Sequence, residues 1–255
     1  MTTTDEILAL AGAAAGPGVA APAGAEAVDQ AAEVTEAELA AFGAAAARGA
    51  TSDVVRALLA ISPGPSPAPP ATGLPTTGLP NTGPSRNPAW TAWLTGAAAT
   101  AAAGEASENP KTAPVHHAWL AIFAAGLALS GPPERLPPGM TVRAAVDAGM
   151  SAAALVETGL DDWGGWSPGT VAATIGAGVT AGLLLGLTGP RLRAAIGICA
   201  TQASGLAAAE GTQALALQVG KAAFNGVEAA MLAAAGLTAP AEPLDGRRGL
   251  FALFG

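Results

Sequence analysis

The sequence contains no tyrosine and one cysteine, and charged residues make up only 12% of its 255 residues. Because Cys199 stands alone, the chain has no disulfide framework, and we expect a protein of the reducing cytoplasm. The eleven lysines and arginines are scattered without a basic run, and the net charge is −8. This distribution argues against a nucleic-acid partner, because nucleic-acid binding requires a clustered cationic face.

Motifs for cofactors are also absent. The sequence has no P-loop, no G-x-G-x-x-G segment after a strand and no cluster of cysteine and histidine. His116 and His117 are adjacent, so on a helix they face different directions and do not form a metal pair. We therefore predict no nucleotide cofactor and no metal site.

A long uncharged run separates Asp162 from Arg191 and is long enough to span a bilayer. It is rich in glycine and threonine and has no belt of basic residues, so we favour a helix buried inside a bundle and expect no membrane association. A small helical membrane protein is the third-ranked alternative. The acidic residues Asp5 and Glu6, with no basic residue before Arg48, do not fit a signal peptide.

The residues that are abundant, alanine and glycine, follow helical spacing through most of the chain, and no run alternates like a strand. We predict an all-α fold, with Ser167 as a helix cap and Gly189 and Pro190 as a helix stop. Residues 1–24 are expected to hold a short helix and a loose connection. Residues 25–255 are expected to form one helical domain with a Pro-rich loop insertion at 62–88. The predicted helices cover about 26–47, 53–61, 90–103, 118–129, 142–157, 168–186, 192–208 and 213–235.

Several segments occur together in a characteristic order: N-P-A-W-T-A-W-L-T-G, V-H-H-A-W-L-A-I-F, G-W-S-P-G-T and V-G-K-A-A-F-N-G-V-E-A-A. In that order, from about residue 40 to 254, the chain resembles the helical domain of the MmgE/PrpD family, which includes 2-methylcitrate dehydratases and cis-aconitate decarboxylases. The resemblance implies a homodimer and an active site in a cleft between the helical domain and a smaller lid domain. Because the chain stops where the family's helical domain stops, we expect a separate lid-domain protein as partner.

The chain departs from the family where the chemistry lies. Glu105 is the one carboxylate in the place of an Asp-rich turn, and Ser167 stands where the family has a histidine. Leu215 and Gln218 occupy the positions of a lysine and a histidine. Of the polar groups that the resemblance predicts, His116 alone stands at its matching place.

Similarity to these lyases implies removal of a proton next to a carboxylate of a small di- or tricarboxylic acid, with loss of water or carbon dioxide. Such a step needs an acid and a base near the operating pH, and donors for the substrate carboxylates. The catalytic candidates are His116 and Glu105. The substrate-binding candidates are Ser167, Gln218, Lys111 and Lys221.

Each candidate also has a structural interpretation: His116 and Ser167 as helix caps, Glu105 as a solvated loop carboxylate, and Lys221 as an ion-pair partner. Two functions therefore remain open beside the membrane alternative. One is a lyase completed by a lid-domain partner. The other is a catalytically degenerate helical scaffold or regulatory partner of the same fold.

Overall fold

Nine α-helices lie in the part of the chain that the computed structural model describes, which comprises residues 1–14, 34–61, 87–106, 117–159 and 163–253. Within these ranges there is no strand, only an isolated antiparallel bridge between Trp166 and Leu206. The prediction of an all-α fold is confirmed. The helices are α1 Thr3–Ala14, α2 Glu36–Arg48, α3 Asp53–Ile61, α4 Pro88–Ala106, α5 His117–Leu129, α6 Val142–Glu157, α7 Pro168–Leu184, α8 Gly189–Gln202 and α9 Gln213–Ala234.

Helix α7 lies at the centre of the bundle and packs against α5, α6, α8 and α9. Every residue from Thr170 to Leu184 is buried, which accounts for the long uncharged run of the sequence. Its threonine hydroxyls are hydrogen-bonded: Thr174 donates to the carbonyl oxygen of Thr170 at 3.1 Å, and Thr180 donates to that of Ala145 at 3.1 Å. Among the described residues, no helix is both long enough and apolar enough to cross a membrane.

Glycine allows α6 and α7 to approach at backbone distance. A Cβ added to Gly149 would lie 2.6 Å from the carbonyl oxygen of Gly176, and one added to Gly176 would lie 2.5 Å from that of Gly149. Gly226 of α9 meets α7 in the same way at Ala177. The core therefore gains its burial from many close contacts between small residues, as the composition requires.

The first helix, α1, packs against α6 and α8. It is tied to the rest of the chain by Asp5, whose carboxylate pairs with the Arg193 guanidinium at 2.6 Å, and by Thr3, whose hydroxyl donates to Asp245 at 2.7 Å. The hydrogen bond from Arg193, with further bonds from Thr2, lowers the pKa of Asp5 to about 2. Both ends of the described chain are thus held on one side of the bundle.

Several helix boundaries agree with the predicted ones. The bounds of α3 and α6 agree with the predicted 53–61 and 142–157. Helix α2 begins later than predicted, because Thr35 and Glu38 form a capping box that fixes its start at residue 36. Residues 62–86 of the predicted Pro-rich loop lie outside the described residues, and α4 begins at Pro88.

Two predicted boundaries around α8 are wrong. Gly189 and Pro190 do not end α7; they open α8, with the proline in its first turn, where its missing N–H leaves no bond unmade. Helix α7 ends earlier, just before Gly186, which has a φ of +74°. Helix α8 was predicted to reach residue 208, but it ends at Gln202, and the chain then runs extended to Leu206.

Candidate functional site

Ser167 precedes α7 at the N-cap position with Pro168 behind it, as predicted. Its hydroxyl makes no capping bond to the first turn; instead, Oγ accepts a hydrogen bond from Oγ1 of Thr170 at 2.6 Å. The Ser167 side chain therefore leaves the N–H groups of Gly169 and Thr170 available to another acceptor. The N-terminus of a helix also carries partial positive charge, so this position suits an anion.

Gln218 of α9 meets this helix start from the side. Its Nε2 donates to Oγ1 of Thr170 at 3.3 Å, and Thr170 in turn donates to Ser167. Two predicted site residues that are distant in the sequence are thus joined through one buried hydroxyl. In these two bonds the acceptors are Oγ1 of Thr170 and Oγ of Ser167. The hydroxyl hydrogen of Ser167 is therefore left to donate to a group outside this chain of bonds.

The extended segment after α8, residues 203–206, contacts both Gln218 and the start of α7. Gln218 accepts from the backbone N–H of Leu206 at 3.1 Å and donates to the Leu206 carbonyl at 3.4 Å. Gly205 has a φ of +149°, and a Cβ there would lie 2.8 Å from Oγ1 of Thr170. Its carbonyl accepts from the backbone N–H of Ser167 at 3.0 Å. Glycine is therefore required where this segment crosses the start of α7.

Lys221 lies one turn beyond Gln218, within an aromatic cluster that we define as Trp90, Trp93 and Phe224. Its Nζ lies 3.8 Å from the ring centroid of Phe224 and 4.8 Å from that of Trp93. Burial lowers the pKa of the Lys221 ammonium below its ordinary value, and the charge of Glu228 opposes this shift. The ion pair expected for Lys221 is absent among the described residues; the cation instead contacts aromatic faces.

The polar side chains of α9 continue along one face, which we call the polar edge: Gln218, Lys221, Asn225 and Glu228. Asn225 is buried, and its Nδ2 donates to the carbonyl oxygen of Gln202 at 2.9 Å. The Gln202 amide donates to Glu228 at 3.4 Å. The spacing of three, four and three residues is the sequence signal that predicts a common face, since such positions are neighbours on a helix.

The structure does not describe the side chains of the other predicted site residues. Glu105 lies in the last turn of α4 and its side chain is outside the described residues, as are His116 and Lys111 entirely. Leu215, which replaces a family lysine, is an apolar residue packed against the core. Sequence reasoning missed Thr170, although its position three residues after an N-cap serine is a frequent place for a bonding partner.

The ionisable groups among the described residues of the site are Lys221 and Glu228. Within the described ranges, no group of three His, Cys, Asp or Glu side chains is placed to hold a metal ion. The side chains of the acid and base candidates, His116 and Glu105, lie outside the described residues.

The family model described as the MmgE/PrpD N-terminal domain matches residues 26–255. No curated protein matches the chain. The match covers α2 to α9 and begins after α1.

Proposed function

The chain belongs to the MmgE/PrpD N-terminal domain family, and on that premise we propose that it is the helical part of a lyase for a small di- or tricarboxylic acid. The reaction is dehydration or decarboxylation. The observation that carries the proposal is the hydrogen-bonded chain from Gln218 through Thr170 to Ser167. It joins two positions that the family resemblance assigns to the active site, at a helix start whose partial positive charge suits an anion.

We assign substrate binding to the hydrogen-bond donors at the start of α7 and to the ammonium group on α9. The Ser167 hydroxyl and the first-turn N–H groups of α7 bind one carboxylate, and the Lys221 ammonium binds a second. Lys111 is a further cationic candidate. Fixed donors of this kind also stabilise the enediolate that develops when a proton leaves the carbon next to a carboxylate.

Acid–base chemistry is assigned to His116 and Glu105. One group removes the proton from the carbon next to the carboxylate, and the electron pair forms the new double bond. The other protonates the leaving hydroxyl, so that water departs. In the decarboxylation variant no proton is removed first: the electron pair of the breaking C–C bond passes into the unsaturated acid as carbon dioxide departs, and one of these two groups then donates a proton to the carbon that receives the pair. Histidine suits either role because its ordinary pKa lies close to neutral pH.

A lid-domain partner and a second copy of the chain complete the proposal. Three large apolar side chains surround Gln218 and are exposed: Trp166 at 40%, Leu206 at 60% and Leu217 at 43%. Apolar side chains gathered at the rim of a polar site are typical of a surface that another protein covers. In the family resemblance, the lid domain covers this cleft, and here a second polypeptide would supply it.

The experiment pairs the chain with a lid-domain protein co-purified from its native host and measures formation of the unsaturated acid by ultraviolet absorbance. His116→Ala is expected to reduce turnover by about a hundredfold or more, the usual contribution of a general acid or base. His117→Ala is the matched control, because it removes the neighbouring imidazole. Unchanged turnover in His116→Ala removes His116 from the mechanism.

A second function, a non-catalytic scaffold or regulatory partner, is favoured by one observation. Ser167 and Gln218 are neutral and hydrogen-bonded within the chain, and the Gln218 amide is largely occupied by Leu206 and Thr170. A titration of the chain with citrate-like acids separates the two functions. Tight, saturable binding counts against the scaffold; no binding, together with no turnover in the presence of a lid-domain protein, counts against the lyase.

A further inference from the structure

The aromatic cluster beside Lys221 is built by two helices. Trp90 and Trp93 lie one turn apart on α4, and their rings stack with centroids 4.9 Å apart. Phe224 of α9 meets both rings edge-on, at 5.8 Å from Trp90 and 5.3 Å from Trp93. All three side chains are half-buried, so part of each remains open to solvent. Three rings grouped at a surface suit an apolar ligand group better than a strongly hydrated one.

Two hydrogen-bond donors at this cluster have no acceptor among the described residues. The Lys221 ammonium lies over the rings of Phe224 and Trp93 and forms no ion pair there. Nε1 of Trp93 is buried without a hydrogen-bond partner. The indole edge that carries it faces α9, since a Cβ added to Gly220 would lie 2.7 Å from Cδ1 of Trp93.

An unpaired buried donor is unfavourable, and a half-buried cation without a carboxylate is unfavourable as well. One acceptor with a negative charge would relieve both. The lysine has a flexible arm of four carbons, so its ammonium can turn toward an incoming anion. An anion reaches the indole N–H as well if this turn opens a path beside Gly220. A carboxylate is the acceptor whose two oxygens can meet two separate donors.

We infer that the aromatic cluster with Lys221 is a specificity subsite for a carboxylate that stands next to an apolar or aromatic substituent. The carboxylate is bound by Nζ of Lys221 and Nε1 of Trp93, and the substituent packs on Trp90 and Phe224. The inference rests on the proposed function in taking the ligand to be a carboxylic acid. The ligand that fits this subsite has one apolar arm. Citrate has only polar arms and does not fit it.

The position of Lys221 relates this subsite to the rest of the candidate site. Lys221 follows Gln218 by three residues, so the two side chains are neighbours on α9. Gln218 contacts Thr170 at the start of α7. The second carboxylate of a diacid therefore has the Ser167 hydroxyl and the α7 N-terminus as its binding groups, at the other end of this short polar face.

The test uses two acids that differ only in an apolar arm: succinate and benzylsuccinate. Binding to the full chain is measured by isothermal titration calorimetry. We expect benzylsuccinate to bind about tenfold or more tightly than succinate, because the benzyl group is buried on the rings. Lys221→Met should weaken the binding of both acids about tenfold or more, since it removes a charged donor.

Two further variants make the test specific. Trp93→Phe keeps a ring and removes the N–H, and it should weaken benzylsuccinate about threefold to tenfold, as expected for one neutral hydrogen bond. Arg191→Met removes an exposed cation at the far end of α8 and should leave both affinities unchanged. Circular dichroism and thermal melting confirm that each variant is folded before its affinity is compared.

The outcomes separate the subsite from the proposed function. Equal affinity for the two acids, or affinities unchanged by Lys221→Met and Trp93→Phe, overturns the subsite, while turnover with the lid-domain protein still supports the lyase. A clear benzyl preference that depends on both residues supports the subsite. If turnover is absent in that case, the lyase proposal fails and the binding site stands.

Discussion

The side-chain amide of Gln218 hydrogen-bonds both backbone groups of Leu206. Its Oε1 accepts from the Leu206 N–H at 3.1 Å, and its Nε2 donates to the Leu206 carbonyl at 3.4 Å. An amide side chain thus takes the place of a neighbouring strand for one residue of an extended segment. The position that the family resemblance assigns to a catalytic histidine here also holds the backbone in place.

The first prediction concerns this pairing. Gln218→Leu keeps the approximate volume of the side chain but leaves the backbone groups of Leu206 unpaired. The free energy of unfolding should fall by about 0.5–1.5 kcal/mol, the net contribution of a hydrogen bond whose groups water can reach, since Leu206 is exposed. Urea denaturation followed by circular dichroism measures the change.

Gln213→Leu is the control for this variant, because Gln213 is an exposed residue in the first turn of the same helix. It should shift the urea midpoint little. If both variants destabilise the protein equally, the effect belongs to the helix and not to the Leu206 contact.

The second prediction concerns acid stability. The pKa of Asp5 is lowered from 3.8 to about 2, chiefly by its hydrogen bond from Arg193. The contribution of this carboxylate to stability is therefore present above about pH 4 and is lost as the pH falls toward 2. Asp5→Asn should lower the thermal midpoint at neutral pH, and its difference from the native protein should shrink across that window.

Glu6→Gln removes a carboxylate from the same first turn of α1 and so controls for the helix dipole. It should not reproduce the shrinking difference between pH 4 and pH 2. A parallel loss in both variants would assign the effect to helix charge and not to the Arg193 pair.

The third prediction concerns Cys199. Burial raises the pKa of its thiol to about 12, so on the order of one thiol in ten thousand is ionised at pH 8. A thiol-specific reagent should label the native protein only as fast as the bundle opens, and label the denatured protein at once. Rapid labelling under native conditions would show that the α7–α8 contact opens readily.

The fourth prediction uses the glycine that faces this thiol. A Cβ on Gly178 would overlap Sγ of Cys199. Gly178→Ala should therefore cost about 1–3 kcal/mol through overpacking. In the double variant with Cys199→Ala, the sulfur is gone and much of that cost should be recovered. A double variant no more stable than Gly178→Ala would place the strain elsewhere.

The fifth prediction concerns the stability effect of Lys221. Burial lowers the pKa of its ammonium in the folded chain, so protonated Lys221 disfavours folding at neutral pH, and this effect disappears as the pH rises above the ordinary value of 10.5. Lys221→Met should be at least as stable as the native protein at neutral pH, with the difference declining in alkaline solution. A large decrease in the thermal midpoint of Lys221→Met would mean that the contacts of the ammonium with the aromatic rings stabilise the fold by more than the loss of its hydration destabilises it.

The helices could be predicted from the sequence where local signals define them. The amphipathic spacing of α6 and the apolar spacing of α3 place the ends of these helices correctly. The end of α8 was missed although Ser204 and Gly205 are residue types that often end a helix. The extended course of residues 203–206 itself depends on distant contacts with Gln218 and Ser167. Gly189 and Pro190 were misread because the same pair of residues can close one helix or open the next.

The candidate site was predicted only in part, for a related reason. Similarity to a family pointed to Ser167 and Gln218. The hydroxyl that joins them is that of Thr170, a neutral residue in a buried helix, and no sequence motif singles it out. The aromatic cluster was present in the sequence as Trp90 and Trp93 one turn apart. The contact of Lys221 with this cluster depends on the packing of α4 against α9, and no local sequence pattern predicts that packing.

The small-residue core also determines where conformational entropy resides in this protein. Alanine and glycine have no side-chain rotamers to lose, so the ordering of α6, α7 and their neighbours costs mainly backbone freedom. Rotamer freedom remains instead in the long polar side chains at the surface, among them Lys221 and Gln218 of the polar edge of α9. Gln218 is already restrained by its three hydrogen bonds. A ligand at this edge therefore has chiefly one side chain left to order, that of Lys221, and most of the entropic cost of assembling the site has been met by folding.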